Sequence, residues 1–237
     1  MRTAQVSIAT PEVDWTALQN FAALRGQLRV SFTPRCNIAC WFCHNEGDVP
    51  PPLTRQDRSQ QPRPRGLDPE GHLALITSLM EAGLKRVYFT GGEPLTSPVA
   101  RPVLEQLPEP GADASYTLIT NGTRIRTHRS WLSKTYLDKV KVSLHYFSDE
   151  SLQAIAGTRI GINAVLDGIE TAREIFEWVE LNTVLQRENA HEVGQILDFA
   201  LERRMPMQFI ELVGTASTQV GHLQPCRPTR SSPTCAR

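Results

Sequence analysis

Leu28-Arg29-Val30-Ser31-Phe32, followed almost at once by Cys36-Asn37-Ile38-Ala39-Cys40-Trp41-Phe42-Cys43, is a short apolar run that ends in a loop crowded with reactive side chains. The run has the length and the β-favouring residues of a strand. The same kind of run recurs at residues 86–90, 115–120, 139–144, 179–185 and 207–213. Between these runs lie helix candidates at 68–82, 98–107, 128–134, 149–156, 163–178 and 190–203. In the last of them Val193, Ile196, Leu197, Ala200 and Leu201 form a stripe at helical spacing, the pattern of a helix that covers a sheet face. Strand-then-helix alternation predicts an α/β fold on a parallel sheet or barrel.

In such a fold the functional groups gather at the C-terminal ends of the strands. The polar and thiol residues fall there. Cys36 to Cys43 follow the first strand, Gly91-Gly92-Glu93-Pro94 the second and Asn121 the third, while Ser143 and His145 close the fourth. Asn182 and Glu211 lie in the fifth and sixth. Six separate segments therefore converge on one rim.

The thiols indicate metal chemistry. Thiolates select iron–sulfur clusters, and Cys-x3-Cys-x2-Cys supplies three corners of a [4Fe-4S] cubane while leaving the fourth iron open to a small molecule. A structural zinc site competes, but it normally closes with four protein ligands and would have to recruit His44 or a distant residue. A zinc-stabilised binding module without catalysis is the reading this alternative leads to. Cys40-Trp41-Phe42-Cys43-His44 also matches the haem-attachment pattern, yet residues 1–15 lack the charged-then-apolar layout of an export signal.

Composition bounds the rest. A chain of 237 residues, 40% hydrophobic, can bury one substantial core. With 25 basic and 25 acidic residues the net charge is zero, so no bulk field draws nucleic acid or an anionic membrane. No apolar run approaches the roughly 20 residues that span a bilayer. Five cysteines, three of them in one loop, do not form a disulfide framework, and a reducing cytoplasm is the expected location.

The cysteine triplet with Phe42 before its last member is followed in order by Thr90-Gly91-Gly92-Glu93-Pro94, Thr120-Asn121-Gly122, Val142-Ser143-Leu144 and Leu181-Asn182-Thr183-Val184. Together these segments resemble the radical S-adenosylmethionine (radical SAM) superfamily. Within it the chain is similar to the GTP 3′,8-cyclase (MoaA) family of molybdenum cofactor biosynthesis, over residues 28–213. The resemblance implies a partial six-stranded parallel (β/α)6 barrel, open on one side. It implies a [4Fe-4S] cluster on Cys36, Cys40 and Cys43, and S-adenosylmethionine (SAM) held by Phe42, Gly91, Gly92, Glu93, Pro94, Thr120, Asn121, Ser143 and Asn182. Reductive cleavage of SAM would give a 5′-deoxyadenosyl radical that takes hydrogen from a small-molecule substrate. An electron donor such as flavodoxin or ferredoxin is implied as partner.

Individual residues keep a second reading. Gly91 and Gly92 let backbone approach a ligand, or make a turn. Glu93 aids an ammonium contact, or caps the helix that follows. His145 faces substrate, or is a hydrogen-bonded rim residue; the family often has a carboxylate there. Trp41 is expected to pack.

The departures from the cyclases bear on substrate. Arg29 and Arg86 match basic positions of a triphosphate site, but Tyr88 stands where the family has an arginine and Glu180 where it has a lysine. A neutral ring and a carboxylate weaken phosphate binding. A nucleotide, a nucleoside or another small metabolite is the expected substrate, with GTP cyclisation itself and peptide modification as alternatives. The expected layout is an N-terminal helical extension over 1–27, a core over 28–213 with a Pro/Arg-rich insertion at 48–66, and a disordered tail over 214–237. The tail holds only Cys226 and Cys235 where a cyclase carries a second cluster on three cysteines. The protein therefore uses one cluster, or a C-terminal domain has been lost.

Overall fold

Burial alternates along the strands, with one face closed by helices and the other left half-open. In the computed structural model, which describes residues 14–24, 26–43 and 66–212, the strands are β1 (Leu28–Ser31), β2 (Arg86–Thr90), β3 (Ser115–Thr120), β4 (Lys139–Ser143), β5 (Trp178–Leu185) and β6 (Met207–Glu211). They form one sheet in the order β1-β2-β3-β4-β5-β6, every neighbouring pair parallel. Among the described residues β1 and β6 do not pair, so the sheet is open, as expected of a partial barrel. The helices are α1 (Trp15–Ala23), α2 (Pro69–Glu81), α3 (Ala100–Glu105), α4 (Ile125–Leu132), α5 (Asp149–Ala156), α6 (Ile162–Ile175) and α7 (Val193–Glu202).

One face of the sheet carries Val87, Phe89, Tyr116, Leu118, Val140, Val142 and Leu181, buried against Ile76, Leu104, Leu132, Ile155, Ile169 and Ile196 of the helices. The other face carries Arg29, Tyr88, Lys141, Ser143, Glu180 and Asn182, at the alternate strand positions, none of them fully buried. Period-two alternation thus separates an apolar packing face from a polar inner face.

Local signals set the ends of the elements. Asp68 caps α2 by accepting the Gly71 N–H at 2.8 Å, with Pro69 in the first turn where its missing N–H costs nothing. Ser148 and Ser151 form a reciprocal cap on α5, with Asp149 and Glu150 placed favourably at its positive end. Three boundaries depart from the sequence pattern by three residues, the start of α7 at Val193 rather than at 190 being one of them. The helix expected over 163–178 stops at Ile175, and Trp178 already pairs with Lys139 in the sheet. Phe176 is extended, and the alternation of Val179, Leu181 and Thr183 as buried positions wins over the helical period upstream. Helix α4 starts at Ile125 rather than at residue 128, because the fully buried Ile125 anchors a first turn that has no side-chain cap to mark it in the sequence. The insertion at 48–66, but for Gly66, lies outside the described residues, as do the tail at 214–237, His44, Cys226 and Cys235.

Helix α6 approaches the β3 end unusually closely. A Cβ on Gly168 would lie 2.1 Å from the Gly122 carbonyl oxygen. Alanine at 168 would add about 1 kcal/mol of helix propensity. The atom it strikes is backbone, however, and overpacking costs about 1–3 kcal/mol. Gly168→Ala is therefore expected to lower the urea midpoint; an increase would show that α6 can move away without loss.

Candidate functional site

The loop after β1 is fastened on two sides by its own backbone. Ala39 N–H donates to the Ala156 carbonyl at 2.8 Å and Trp41 N–H to that of Ile155 at 3.1 Å, which pins the cysteine loop to the end of α5. On the other side Gly92 N–H donates to Thr33 O at 2.6 Å and Glu93 N–H to Arg35 O at 2.8 Å. The β1–β2 ladder thus continues past the strands and zips the two loops together. A Cβ on Gly91 would lie 2.6 Å from Thr33 O, and one on Gly92 only 2.3 Å from Arg35 O. The backbone these glycines visibly accommodate is that of the cysteine loop.

Cys36 and Cys40 are partly buried, Cys43 is exposed, and none is in a disulfide. Burial, then the charges of Cys43 and Cys36, pushes the Cys40 thiol up to about 12. Burial likewise raises Cys36, with Glu93 and Cys43 adding to it. Three thiols that repel one another as thiolates are what a cationic centre would hold together. Among the described residues no three Cys, His, Asp or Glu side chains converge on a single ion. A zinc ion needs its sulfurs at about 2.3 Å from one point. A cubane instead bonds each cysteine at a separate iron corner.

Glu93 forms the cap. Fully buried, it accepts from Leu95 N–H at 3.0 Å and Thr120 Oγ1 at 2.8 Å through Oε1, and from Asn121 N–H at 2.8 Å through Oε2. It caps the 3-10 turn Pro94–Thr96 and ties the β2 loop to the β3 loop. Burial raises its pKa despite the three donors and the charge of Arg124. Three donors within the protein thus hold its carboxylate, and of the two readings of Glu93 the cap is formed.

The β3 loop extends the connection. Asn121 Nδ2 lies 3.6 Å from Cys36 Sγ and donates to Asn37 Oδ1 at 2.9 Å. Asn121 Oδ1 accepts from Thr123 N–H at 3.1 Å and from its hydroxyl at 2.7 Å. Asn37 and Thr123 were not anticipated, although Asn121-Gly122-Thr123 carries the signature of an Asx turn. Tyr146 was also missed. It is fully buried, and burial raises its pKa, with the charges of Cys40, Cys36 and Glu93 adding to it.

Two further groups stand apart from this ring. Ser143 Oγ donates to Asn182 Oδ1 at 3.2 Å across the β4–β5 register. Phe42 meets His145 edge to face at 5.1 Å. His145 is buried, and its Nδ1 accepts from Val184 N–H at 3.1 Å, so the neutral ring carries its proton on Nε2. Asn189, fully buried, donates to the carbonyls of both His145 and Val184 at 2.8 Å and fixes this corner. Of the two readings of His145, the hydrogen-bonded one is formed.

Burial lowers the His145 pKa from 6.5 to about 4. Between those values the unfolded chain takes a proton that the folded chain refuses, so stability falls as pH drops through this window. The full effect is roughly 3 kcal/mol. Urea unfolding at pH 7 and pH 5 should show His145→Gln losing less stability than the parent; equal losses would mean the ring protonates in place.

On the inner face Lys141 Nζ pairs with Glu180 Oε1 at 2.5 Å, with side chains 25% and 29% exposed, and Gln208 Oε1 lies 3.5 Å from the same nitrogen. Burial and the nearby Arg29 lower the Lys141 pKa. Lys141 was not foreseen as a member of this face. A surface hollow between α4 and α6, lined by Arg126, Arg129 and Glu174, belongs to the outer layer and lies away from the strand ends.

An open six-stranded parallel sheet thus carries a three-thiol loop and a glycine loop laced together at its C-terminal rim. The chain belongs to the radical SAM superfamily, whose family model matches residues 30–200. That superfamily uses a [4Fe-4S] cluster and SAM. A probable GTP 3′,8-cyclase of Thermococcus kodakarensis is 34% identical over 186 residues, 78% of this chain and 56% of that protein. The GTP 3′,8-cyclase of Marinobacter nauticus is 32% identical over 189 residues, 78% of this chain and 53% of that one. The chain thus spans about half the length of the curated relatives it matches. Among solved structures, Streptococcus suis SuiB bound to SAM superposes with a TM-score of 0.63 at 16% identity, over 84% of this chain and 43% of that one, a likeness of fold. No helix among the described residues is long and apolar enough to cross a membrane.

Proposed function

We propose that this chain is the core of a radical SAM enzyme acting on a small molecule at the polar inner face. When bound, a [4Fe-4S] cluster supplies the electron that splits SAM into methionine and a 5′-deoxyadenosyl radical. Cys36, Cys40 and Cys43 hold the cluster in this reading. Backbone carbonyls around Gly91 and Gly92 accept from the SAM ammonium group, Ser143 and Asn182 serve its ribose, and Phe42 covers the adenine while keeping water from the thiols. Glu93, Pro94, Thr120 and Asn121 shape the loops that present these groups. The electron comes from a donor of the flavodoxin or ferredoxin kind.

The observation that carries the reading is the backbone lacing of the cysteine loop to the Gly91-Gly92 loop through Thr33 and Arg35. It makes the thiols and the glycine loop one rigid unit. The test is anaerobic reconstitution, with about four irons and four sulfides expected per chain, followed by reduction with dithionite in the presence of SAM and chromatography for 5′-deoxyadenosine. Replacing Cys36, Cys40 and Cys43 together by alanine should abolish both. Full iron in that variant, or a colourless parent protein that binds zinc, would overturn the reading.

GTP cyclisation is the second reading, favoured by the cyclase relatives and by Arg29 and Arg86 on the inner face. The Lys141–Glu180 pair and Tyr88 stand against it. We take the substrate to be a small metabolite, nucleoside or nucleotide that does not present a triphosphate to this face.

A further inference from the structure

Cys36 has an unusual neighbour for a thiol in a metal-binding loop, a carboxamide whose orientation is fixed from every side. Asn121 is 7% exposed. Its Oδ1 receives the Thr123 N–H and hydroxyl, and its Nδ2 donates one hydrogen to Asn37 Oδ1 and directs the other at Cys36 Sγ at 3.6 Å. Asn37 Nδ2 in turn donates to Thr123 Oγ1 at 2.9 Å, which closes a ring of three side chains. The Asn121 backbone N–H is held by Glu93. Turning the amide over would set Oδ1 against Asn37 Oδ1 and the NH2 against the Thr123 N–H, so the network determines which atom faces the sulfur. The Cys36 thiol itself lies 4.0 Å from Asn37 Oδ1, a contact that disappears once the proton leaves. Among the described residues the thiolate is then served by one side-chain donor, Asn121 Nδ2, beside the Ile38 backbone N–H.

We infer that Asn121 is a positioning residue that sets the reduction potential of the cluster, by donating an N–H to the Cys36 thiolate from an amide locked by Thr123 and Asn37. The inference rests on the reading above, that Cys36 is a cluster ligand. Its physics is electrostatic. One electron from the donor adds one negative charge, with no proton taken up, and part of that charge resides on the ligating sulfurs. A hydrogen bond to sulfur is stronger in the more negative state, so it favours reduction and raises the potential. A donor on a floppy side chain would reorganise with each electron; one held at both ends of its amide does not. Asn121 touches the ligand sulfur and acts on the chemistry through it.

The test is an EPR-monitored redox titration of the reconstituted full chain, with iron and sulfide measured on the same samples. Asn121→Asp keeps the oxygen that Thr123 needs and replaces the donor by an acceptor. Its midpoint should move negative, so that at the parent's midpoint the reduced-to-oxidised ratio falls from one to about a tenth, equivalent to about 59 mV for one electron. Thr123→Val, which leaves the donor but removes its hydroxyl brace, should move the midpoint the same way by less. A residue that merely supported the fold would lower the iron content and leave the potential of the remaining cluster in place. If Asn121→Asp holds no iron, Asn121→Ala is titrated instead. A parent-like midpoint in an iron-loaded Asn121 variant overturns this inference alone, whereas a parent protein with no cluster to titrate overturns the reading beneath it.

Discussion

Gly92→Val will lose its iron and, with it, SAM cleavage, while keeping its secondary structure. The reason is a collision between two loops of the protein. A Cβ at position 92 lies 2.3 Å from Arg35 O, 2.4 Å from Arg35 C and 2.9 Å from Cys36 N. All three atoms are backbone and cannot rotate aside as a side-chain end would. The Gly92 N–H to Thr33 and Glu93 N–H to Arg35 bonds fix the separation that valine would have to widen. A shift of about 1 Å is enough to cost on the order of a hundredfold in a positioned reaction, and here it moves a thiol and the glycine loop together. Iron retained after desalting should fall at least roughly tenfold, and 5′-deoxyadenosine should drop to background. The helices pack on Val87, Phe89, Leu118 and Val142 of the strands, and none of these is among the three atoms valine would strike, so far-UV circular dichroism should be preserved. Full iron with parent-like SAM affinity in Gly92→Val would mean that the loops tolerate separation and do not act as one unit.

The second large effect is negative. Incubated anaerobically with GTP, SAM and reductant, the chain is expected to yield no cyclised nucleotide over multiple turnovers. Tyr88 and Glu180 stand where the resemblance to the cyclases would put cations, and Glu180 does more than leave a gap, because it takes up Lys141 at 2.5 Å. Each lost charge-assisted bond to a phosphate is worth about 1.5–3 kcal/mol. Two such losses weaken binding on the order of a hundredfold or more before any repulsion from Glu180 is counted. Chromatography for the product decides the matter. Sustained turnover would show that Arg29, Arg86 and Lys141 suffice, and would restore GTP as the substrate.

Much of the framework was legible because it depends on periodicity and on the residue types at strand ends. The six runs of β-favouring residues became six strands with boundaries shifted by at most two residues, and α5 matched its expected span. The misplaced end of α6 came from two periods overlapping around Phe176 and Trp178, where local pattern could not say that Lys139 would claim Trp178 as a partner. The site was legible in composition but less so in its wiring. Cysteines, glycines, Glu93 and Asn121 announce themselves as types. That Glu93 would spend its oxygens on Leu95, Thr120 and Asn121, or that Lys141 would meet Glu180, depends on which strands become neighbours and in what register. Such facts exist only once the sheet has formed. Asn37 was passed over for the same reason, since its partners lie more than eighty residues away.

Since each strand pairs only with its predecessor and successor, the sheet can be laid down in the order in which the chain leaves the ribosome. No strand has to wait for a later one to be inserted beside it. The ring of Cys36, Asn37, Glu93, Thr120, Asn121 and Thr123 draws only on the first three strands and their loops, so its last member is translated before β4 begins. What arrives afterwards is the brace, Ile155 and Ala156 from α5 and then Gly168 from α6. The nascent protein thus has the makings of a thiol cradle well before the second half of its sheet exists. Ala39 and Trp41 gain their partners on α5 only afterwards, while Cys43 stays exposed in the finished fold.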